Sequence, residues 1–322
     1  MPVKNAMPFL TDCLLSIQNQ NEKNWELIAV DDSSTDESFS ILEKSSKTDT
    51  RIKVYKNTGK GITPALKLGY EKANGHYITR MDADDLMPVQ KLEKLKKAIE
   101  GKSGVVSTGL VEYFPKTEIK SGFKKYEEWL NTLTASGANF KEIYKECVIP
   151  SPCWMMHRSD FEKIGAFNAA TYPEDYDLCF RMYQNDMQVI GIKEMLHQWR
   201  DYPTRTSRTD PNYADNRFLN LKIKYFFEID RDKNRPLVIW GAGTKGKLVA
   251  KKLIEKGEKF TWIAESPKKQ GKEIYGELIY SVEELKTLKN PQVITLVAGE
   301  KNQLEITNKL KTERITESYF FC

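Results

Sequence analysis

The first hundred residues alternate between two patterns of hydrophobic and polar positions. Short apolar runs are typical of strands, and the run from Trp25 to Val30 contains one charged residue, which suits a strand buried on both faces. Apolar residues spaced three and four apart predict helices between the runs. The predicted strands are 25–30, 51–57 and 76–80, and the predicted helices are 8–17, 37–44, 64–72 and 90–100. This alternation with short connections predicts a parallel, twisted sheet.

The pattern is less regular between residues 105 and 234. A helix is predicted to begin at Pro173, where Glu174 and Asp175 suit the positive end of the helix dipole. The polar stretch 197–208 holds three arginines, which fits either a solvated loop or a cationic flap over phosphates. The other elements predicted here are strands at 105–114, 152–157 and 188–195 and helices at 126–147 and 159–164.

Acidic residues follow two of the predicted strands. Asp31 and Asp32 follow one strand, and Asp82, Asp84 and Asp85 follow another. Ligands of parallel sheets bind at the carboxyl ends of strands, so both groups could face one site. Taken alone, an Asp-x-Asp turn is more often a solvated acidic turn. Its hard oxygen atoms also suit Mg²⁺ or Mn²⁺, which commonly link carboxylates to substrate phosphates.

Composition excludes several classes of protein. The chain has 322 residues, of which 40% are hydrophobic and 30% are charged, which indicates an ordinary globular protein of about two domains. Five cysteines without a Cys-x-x-Cys pair and only three histidines argue against a disulfide framework and a zinc site. No signal-peptide pattern and no bilayer-length apolar run are present. We therefore expect a cytoplasmic protein or one at the inner face of the membrane.

The net positive charge lies near the end of the chain. From Arg235 to Cys322 there are 16 basic and 11 acidic residues, which accounts for the whole net charge of +5. A solvated lysine surface or an anionic macromolecular partner would explain this excess.

A glycine motif opens the same region. Gly241, Gly243 and Gly246 follow an apolar run, and Glu265 stands 19 residues after the last glycine. This spacing fits a dinucleotide-binding turn, in which the glycines allow a pyrophosphate to approach a helix N-terminus. Only about half of a complete dinucleotide domain follows, so we favour a small Rossmann-like accessory module. An NAD(P)-binding oxidoreductase remains the alternative from another class of enzyme.

Four motifs occur in order along the chain: Met-Pro-Val-Lys-Asn at 1–5, Val-Asp-Asp-Ser-Ser-Thr-Asp at 30–36, Met-Asp-Ala-Asp-Asp at 81–85 and Pro-Glu-Asp-Tyr-Asp-Leu at 173–178. Their order and spacing resemble those of the family 2 glycosyltransferases, which have the GT-A fold and use nucleotide-diphosphate sugars. A Tyr-x-x-Trp-x-Asn-x-Leu-Thr segment at 126–134 and the appended module make the chain most similar in appearance to the β-1,3-N-acetylglucosaminyltransferase-like proteins.

The resemblance implies a donor site built from several segments. Pro2 and Val3 would line the nucleoside pocket through their backbone, and Asp32 would accept a hydrogen bond from the uracil ring. Lys67 corresponds to a basic residue near the donor phosphates, and Asp82 would lie near the ribose.

The resemblance also implies a metal-dependent reaction that inverts the anomeric carbon. Asp84 would bind Mn²⁺ or Mg²⁺, and Asp175 would be the general base that deprotonates the acceptor. Arg200 and Ser207 would belong to a flap that closes over the diphosphate.

Three positions depart from the family pattern. The family has several apolar residues before the position of Met1, so either the first strand is short or the true start lies upstream. A histidine usually stands in the flap where this chain has Tyr202. Lys4 replaces a commonly aromatic residue beside the nucleobase.

The expected architecture is therefore α/β, with a GT-A domain at 1–210, a helix and linker at 211–234 and a Rossmann-like domain at 235–322. The expected donor is a UDP-sugar. The expected acceptor is a glycan or lipid-linked intermediate of polysaccharide biosynthesis, and the oligomeric state is left open. The narrower resemblance suggests a second acceptor, a queuosine-type base of tRNA that receives a galactosyl group. The basic tail suits RNA, but no stacking motif accompanies it.

Overall fold

The computed structural model describes residues 1–115, 119–169, 172–209 and 218–322. The chain forms two compact units. The first comprises Met1–Lys141 and Cys147–Arg208, and the second comprises Glu142–Glu146 and Thr209–Cys322.

The first unit opens with a three-stranded parallel sheet, whose strands in spatial order are β1 (Pro2–Val3), β2 (Leu27–Asp31) and β3 (Ile52–Lys56). Val3 lies opposite Asp31, so the carboxyl ends of β1 and β2 are adjacent. All five residues of β2 are buried, as the apolar run predicts. The sheet therefore delivers Asp31 and Asp32 to the edge at which the first loop leaves β1.

A second sheet carries the remaining strands of this unit, in the spatial order β4 (Tyr77–Thr79), β6 (Trp154–His157), β5 (Val105–Phe114) and β7 (Gln188–Arg200). β6 runs antiparallel to both β4 and β5, whereas β5 and β7 are parallel. The expectation that the strand at 76–80 extends one parallel sheet is therefore wrong for the described residues. A strand from far along the chain pairs with it, and local periodicity cannot reveal such a pairing.

β7 is longer than the sequence predicts. It continues past residue 195 because β5 pairs with it as far as Phe114 opposite Arg200. The register shifts between Gly109 and Val111, as at a β-bulge, which keeps the two strands paired beyond that point. Residues 197–200 are therefore strand and not a solvated loop.

The helices of the first unit alternate with these strands and bury one apolar face each. In α1, for example, Leu10, Cys13, Leu14 and Ile17 are buried at helical spacing. No helix in the described ranges is long and apolar enough to cross a membrane. The helices are α1 (Leu10–Gln18), α2 (Ser38–Thr48), α3 (Ile62–Lys72), α4 (Lys91–Ile99), α5 (Ser121–Ser136), α6 (Arg158–Lys163), α7 (Glu174–Gln184) and α8 (Thr206–Thr209), with a 3-10 helix at Asn139–Glu142.

A groove of about 760 Å³ is lined by residues of both β2 and β4, among them Leu27, Ile28 and Ile78. The amino group of Met1 lies in it and donates a hydrogen bond to the carbonyl oxygen of Ile28 at 2.8 Å. Burial and the nearby Arg80 lower the pKa of this amino group to about 5.

The second unit is a six-stranded sheet with the order β10-β11-β9-β8-β12-β13. All neighbours are parallel except β10 and β11, and the chain steps outward from β8 on one side before it returns on the other, as in doubly wound folds. The elements are α9 (Leu219–Tyr225), a π-helix (Phe226–Asp230), β8 (Leu237–Trp240), α10 (Thr244–Glu255), β9 (Thr261–Ile263), β10 (Glu273–Ile274), β11 (Glu277–Tyr280), a 3-10 helix (Val282–Thr287), β12 (Gln292–Thr295), α11 (Glu300–Thr312) and β13 (Ser318–Phe320).

The close approach of α5 to β7 requires glycine at position 191. A Cβ atom on Gly191 would lie 1.6 Å from the carbonyl oxygen of Thr134. We expect Gly191→Ala to lower the free energy of unfolding by about 2 kcal/mol or more, because backbone must move to admit the methyl group. The control is Gly122→Ala in α5, where the added Cβ has open space and alanine favours the helix. Urea denaturation curves that lose stability equally for both variants would contradict this account.

Candidate active site

The acidic turn after β4 is held against the end of β7. The backbone amide of Leu86 donates to the carbonyl oxygen of Gln198 at 3.0 Å, and Gln198 donates back to Leu86 at 3.1 Å. The carboxylate of Asp85 accepts a hydrogen bond from the amide of Arg200 at 2.8 Å. The conformation of the turn therefore depends on a strand more than a hundred residues later in the chain.

The carboxylates of this turn carry more negative charge than their neighbours neutralise. Burial, with Asp85 and Asp82 nearby, raises the pKa of Asp84 to about 6. Burial raises the pKa of Asp85 to about 7, although Arg205 acts in the opposite direction. The hydroxyl of Tyr202 donates to Asp84 Oδ2 at 2.8 Å. A cation bound at Asp84 would relieve this repulsion.

A series of buried hydrogen bonds supports the acidic turn through Asp85. Lys91 Nζ donates to the carbonyl oxygen of Pro152 at 2.6 Å and lies 3.1 Å from His197 Nδ1. Because an ammonium group has no acceptor, His197 Nδ1 accepts, and its Nε2–H donates to Asp85 at 3.0 Å. Burial and Lys91 lower the pKa of His197 well below its ordinary value, so the imidazole is neutral. No local sequence pattern indicates this series of hydrogen bonds, because its members come from three distant segments.

A second charge cluster joins the acidic turn to α7. Arg80 Nε donates to Asp82 Oδ1 at 3.1 Å, and Arg80 Nη1 donates to Glu174 Oε1 at 2.9 Å. Burial and Glu174 raise the pKa of Asp175 to about 7, while the charge of Arg80 acts in the opposite direction. The structure thus brings Asp82 and Asp175 to one cluster. The crowding of carboxylates at 82–85 was the available signal for a positive charge such as Arg80, which the sequence analysis did not single out.

The residues expected at the nucleobase lie together at the ends of β1 and β2. The Asp32 carboxylate accepts hydrogen bonds from Asn57 at 2.7 Å and from the amide of Gly61 at 3.0 Å, and it is 3.3 Å from Lys4 Nζ. Burial opposes its ionisation, but these donors outweigh burial and lower its pKa. In contrast, Asp31 Oδ1 is buried and has no hydrogen-bond partner among the described residues, so it is an unused acceptor at this edge.

Pro2 and Val3, which form β1, lie beside these aspartates. Lys67 lies in α3, and within the described part of the chain no hydrogen bond or ion pair links it to the acidic residues.

The arginines of the predicted flap are mostly buried. The side chain of Arg200 is 15% exposed, lies between the rings of Phe9 and Phe114, and donates to the carbonyl oxygen of Asp84 at 2.9 Å. Arg205 Nη2 is 3.9 Å from Asp85 Oδ2. The solvated-loop interpretation is therefore wrong for these two residues. The side chain of Ser207 lies outside the described residues.

The donor atoms around Asp84 fit a divalent ion that shares its ligands with a substrate. No group of three or more Asp, Glu, His or Cys side chains in the described residues forms a cage for a metal. Mg²⁺ and Mn²⁺ commonly bind through one or two carboxylates, water and substrate phosphates. The carboxylate of Asp84 has a hydroxyl partner and no bonded cation, which suits this kind of site.

The glycine motif of the second unit forms the tight turn between β8 and α10. Gly241 has a φ of +126°, and a Cβ on Gly246 would lie 2.0 Å from the carbonyl oxygen of Gly241. Gly243 has open space around its missing Cβ. Glu265 follows β9 and pairs with Lys309 at 2.8 Å. Packing therefore accounts for Gly241 and Gly246, and Glu265 already has a cationic partner.

Comparison with known proteins identifies relatives of the first unit. The family model of glycosyl transferase family 2 matches residues 1–165, which is just over half of the chain. The putative teichuronic acid biosynthesis glycosyltransferase TuaG of Bacillus subtilis is 38% identical over 201 residues, which cover 62% of this chain and 76% of TuaG. The matched segments of this chain span only 31% to 42% of the length of uncharacterized glycosyltransferases from Rickettsia bellii and Haemophilus influenzae.

Two solved structures confirm the fold of the GT-A type. Staphylococcus aureus TarS, residues 1–349 in complex with UDP-GlcNAc, has a TM-score of 0.53 at 17% identity and covers 72% of this chain and 66% of that one. The mannosyltransferase PcManGT of Pyrobaculum calidifontis, in complex with GDP-Man and Mn²⁺, has a TM-score of 0.51 at 18% identity. The match covers 72% of this chain and 63% of the PcManGT chain.

The raised pKa of Asp175 predicts a pH-dependent stability. Folding raises this pKa from 3.8 to about 7, so the folded state binds more protons between these values and the free energy of unfolding falls as the pH rises. We expect Asp175→Asn to melt about 4 °C or more above the parent protein at about pH 8, with the difference disappearing near pH 4.

Thermal melts across this pH range test the expectation, with Asp186→Asn, on the turn after α7, as the control outside the cluster. A melting temperature of Asp175→Asn that follows the parent protein at every pH would show that Asp175 titrates normally.

Proposed function

The chain belongs to glycosyl transferase family 2, and from this premise we propose that it transfers a sugar from a nucleotide-diphosphate donor, with inversion, to a hydroxyl group of an acceptor. The observation that carries the proposal is the link that Arg80 forms between the acidic turn and α7, in the same unit as the aspartates at the ends of β1 and β2. The ends of β1 and β2, the turn after β4 and the first turn of α7 supply Asp32, Asp84 and Asp175. The pKa of Asp32 is lowered, whereas the pKa values of Asp84 and Asp175 are raised.

We propose a UDP-sugar as the donor. Pro2, Val3 and Asp32 form the nucleoside end of the site, and Asp82 contacts the ribose. Asp31 Oδ1 adds an acceptor without a partner at this end. Lys67, Arg200 and Ser207 are assigned to the diphosphate. The TarS complex with UDP-GlcNAc supports a uridine donor, and the PcManGT complex with GDP-Man makes guanosine the competing possibility.

Asp175 is proposed as the general base. The acceptor hydroxyl must lose its proton as it attacks the anomeric carbon, and a base with a pKa near the working pH does this most effectively. The burial of Asp175 beside Glu174 brings its pKa to about 7. Removal of the proton during attack on the face opposite the diphosphate gives a single displacement with inversion.

Asp84 is proposed to hold Mn²⁺ or Mg²⁺. A divalent ion, when bound, neutralises the charge that develops on the leaving diphosphate. The chain's own contribution is to hold Asp84 at a turn fixed by β7 and to place Arg200 and Arg205 beside it. These cations limit the repulsion that the diphosphate would meet at the acidic turn.

The proposed acceptor is a glycan or lipid-linked intermediate of a surface polysaccharide. The name of TuaG, a putative teichuronic acid biosynthesis glycosyltransferase, supports this class of acceptor. An acceptor hydroxyl on a modified tRNA base remains the alternative. A gel-shift assay with tRNA at low salt separates the two, since binding of RNA depends strongly on phosphate contacts.

The first test concerns the base. We expect Asp175→Asn to reduce turnover by about 10²–10⁴-fold while the Kd for UDP changes little, because the base acts on the acceptor. Turnover is measured as UDP release from the donor sugar and binding by calorimetry. If the turnover of Asp175→Asn stays within about threefold of that of the parent protein, Asp175 is not the base, because the loss of a residue with no role in the reaction would have an effect of about this size.

The second test concerns the metal. We expect Asp84→Asn to weaken UDP binding in Mn²⁺ by about tenfold or more, since the ion links the carboxylate to the phosphates. Calorimetry in Mn²⁺ and in EDTA distinguishes metal-dependent from metal-independent binding. If the parent protein and Asp84→Asn bind UDP equally in both buffers, Asp84 does not hold the ion.

The donor itself can be identified by thermal shift. UDP-, GDP- and dTDP-sugars are screened with and without Mn²⁺, and the stabilising donor is then tested for hydrolysis. Stabilisation by NADH alone, with no effect of any nucleotide sugar, would instead support the oxidoreductase alternative for the glycine motif.

A further inference from the structure

Arg80 is an arginine of the first unit to which the sequence motifs assign no role. It follows β4 directly, and its side chain is only 6% exposed. A buried guanidinium is costly unless its donors are satisfied by acceptors of opposite charge. Arg80 meets this requirement with two carboxylates, that of Asp82 two residues later and that of Glu174, which is 94 positions further along the chain than Arg80.

We propose that Arg80 is a positioning residue that joins the first turn of α7 to the acidic turn and so holds Asp175 in place for the reaction. This inference rests on the proposed function of Asp175. Arg80 itself is not assigned a contact with substrate.

The geometry of the contacts carries the positional part of this inference. The guanidinium reaches Asp82 through Nε and Nη2, both 3.1 Å from Oδ1, and reaches Glu174 through Nη1 at 2.9 Å. A planar guanidinium fixes the directions of these bonds, whereas a lysine ammonium would act as a point charge. Glu174 is 7% exposed and precedes Asp175 in α7, so a restraint on Glu174 restrains its neighbour.

The surroundings of the cluster strengthen this restraint. A cavity of about 10 Å³ beside it is walled by Trp154, Phe167 and Leu178. Apolar walls lower the local dielectric constant and so strengthen charge-charge interactions. The charged groups that act on Asp175 are Glu174 from its own helix and Arg80 and Asp82 from the loop after β4, and Arg80 is the cation among them.

The role of Arg80 predicts a specific change in pH dependence. Without the guanidinium, Asp175 faces Glu174 and Asp82 with no compensating charge and takes up its proton at higher pH. We expect Arg80→Gln to lower kcat by about 100-fold and to move the acidic limb of the kcat profile upward by about one pH unit. Arg80→Lys, which restores the charge, should keep the limb near its original position and recover part of kcat.

Two variants separate this role from general stability. Arg181→Gln is the matched control. Arg181 lies in α7, the helix that carries Asp175, and its side chain is 13% exposed. Its partners are Asp177 and the carbonyl oxygens of Ile164 and Ala166, so it is an arginine of this helix outside the Arg80 cluster. Its acidic limb should stay in place. Because the loss of one partner of a buried ion pair can prevent folding, Arg80→Gln is also combined with Glu174→Gln, which removes both charges. This double variant should fold and still show reduced kcat.

A measurement without substrate distinguishes failure of this inference from failure of the proposed function. The titration of Asp175 is followed by NMR with ¹³C-labelled aspartate, and its signal is identified by its loss in Asp175→Asn. The midpoint should rise in Arg80→Gln and remain unchanged in Arg181→Gln. A folded Arg80→Gln whose midpoint and acidic limb match the parent protein would overturn the role of Arg80. If the midpoint shifts in Arg80→Gln but the parent protein neither binds nor cleaves nucleotide sugars, the positioning role of Arg80 is supported and the proposed function is overturned.

Discussion

Repulsion among carboxylates that are buried or partly buried is the constraint on which the first unit depends. Asp82, Asp84 and Asp85 share one turn, and α7 brings Glu174 and Asp175 to the same region. Like charges in a poorly solvated site can coexist only if cations neutralise them or protons bind to them. The fold uses both solutions: Arg80 pairs with two of the carboxylates, while the pKa values of Asp84, Asp85 and Asp175 are raised.

This constraint separates residues that hold the site from residues that are available to a ligand. Asp85 accepts hydrogen bonds from His197 and from the backbone of Arg200, so it belongs to the support of the turn. Asp32 is likewise engaged by Asn57 and Gly61. In the described residues, Asp84 accepts a hydrogen bond from the hydroxyl of Tyr202 and Asp175 accepts one from the amide of Tyr176, and their raised pKa values let a bound cation or a proton transfer change their charge state. A stable scaffold therefore keeps two carboxylates under electrostatic strain.

The two units differ in what their glycines and charges indicate. In the first unit, charged residues from distant segments meet, as Arg80 does with Glu174, and the packing of apolar side chains does not require such a meeting. In the second unit, the close approach of Gly246 to the carbonyl oxygen of Gly241 accounts for two glycines of the motif by packing, and Lys309 pairs with Glu265. The motif thus describes the turn between β8 and α10 well, whereas its ligand is a separate question.

The sequence by itself determined the features that depend on local order. The apolar runs located β2 and β5 to within a few residues, and Pro173 with the acidic residues after it located the start of α7. Four spaced motifs identified the family and placed Asp84 and Asp175 on a turn and a helix end. Only the tertiary structure decided which residues meet. Three features join segments that are 61 to 106 positions apart along the chain. They are the antiparallel pairing of β4 with β6, the buried contacts of Lys91 with Pro152 and His197, and the ion pair between Arg80 and Glu174. Local periodicity reports which face of an element is buried, but it contains no information about the distant partner that buries it.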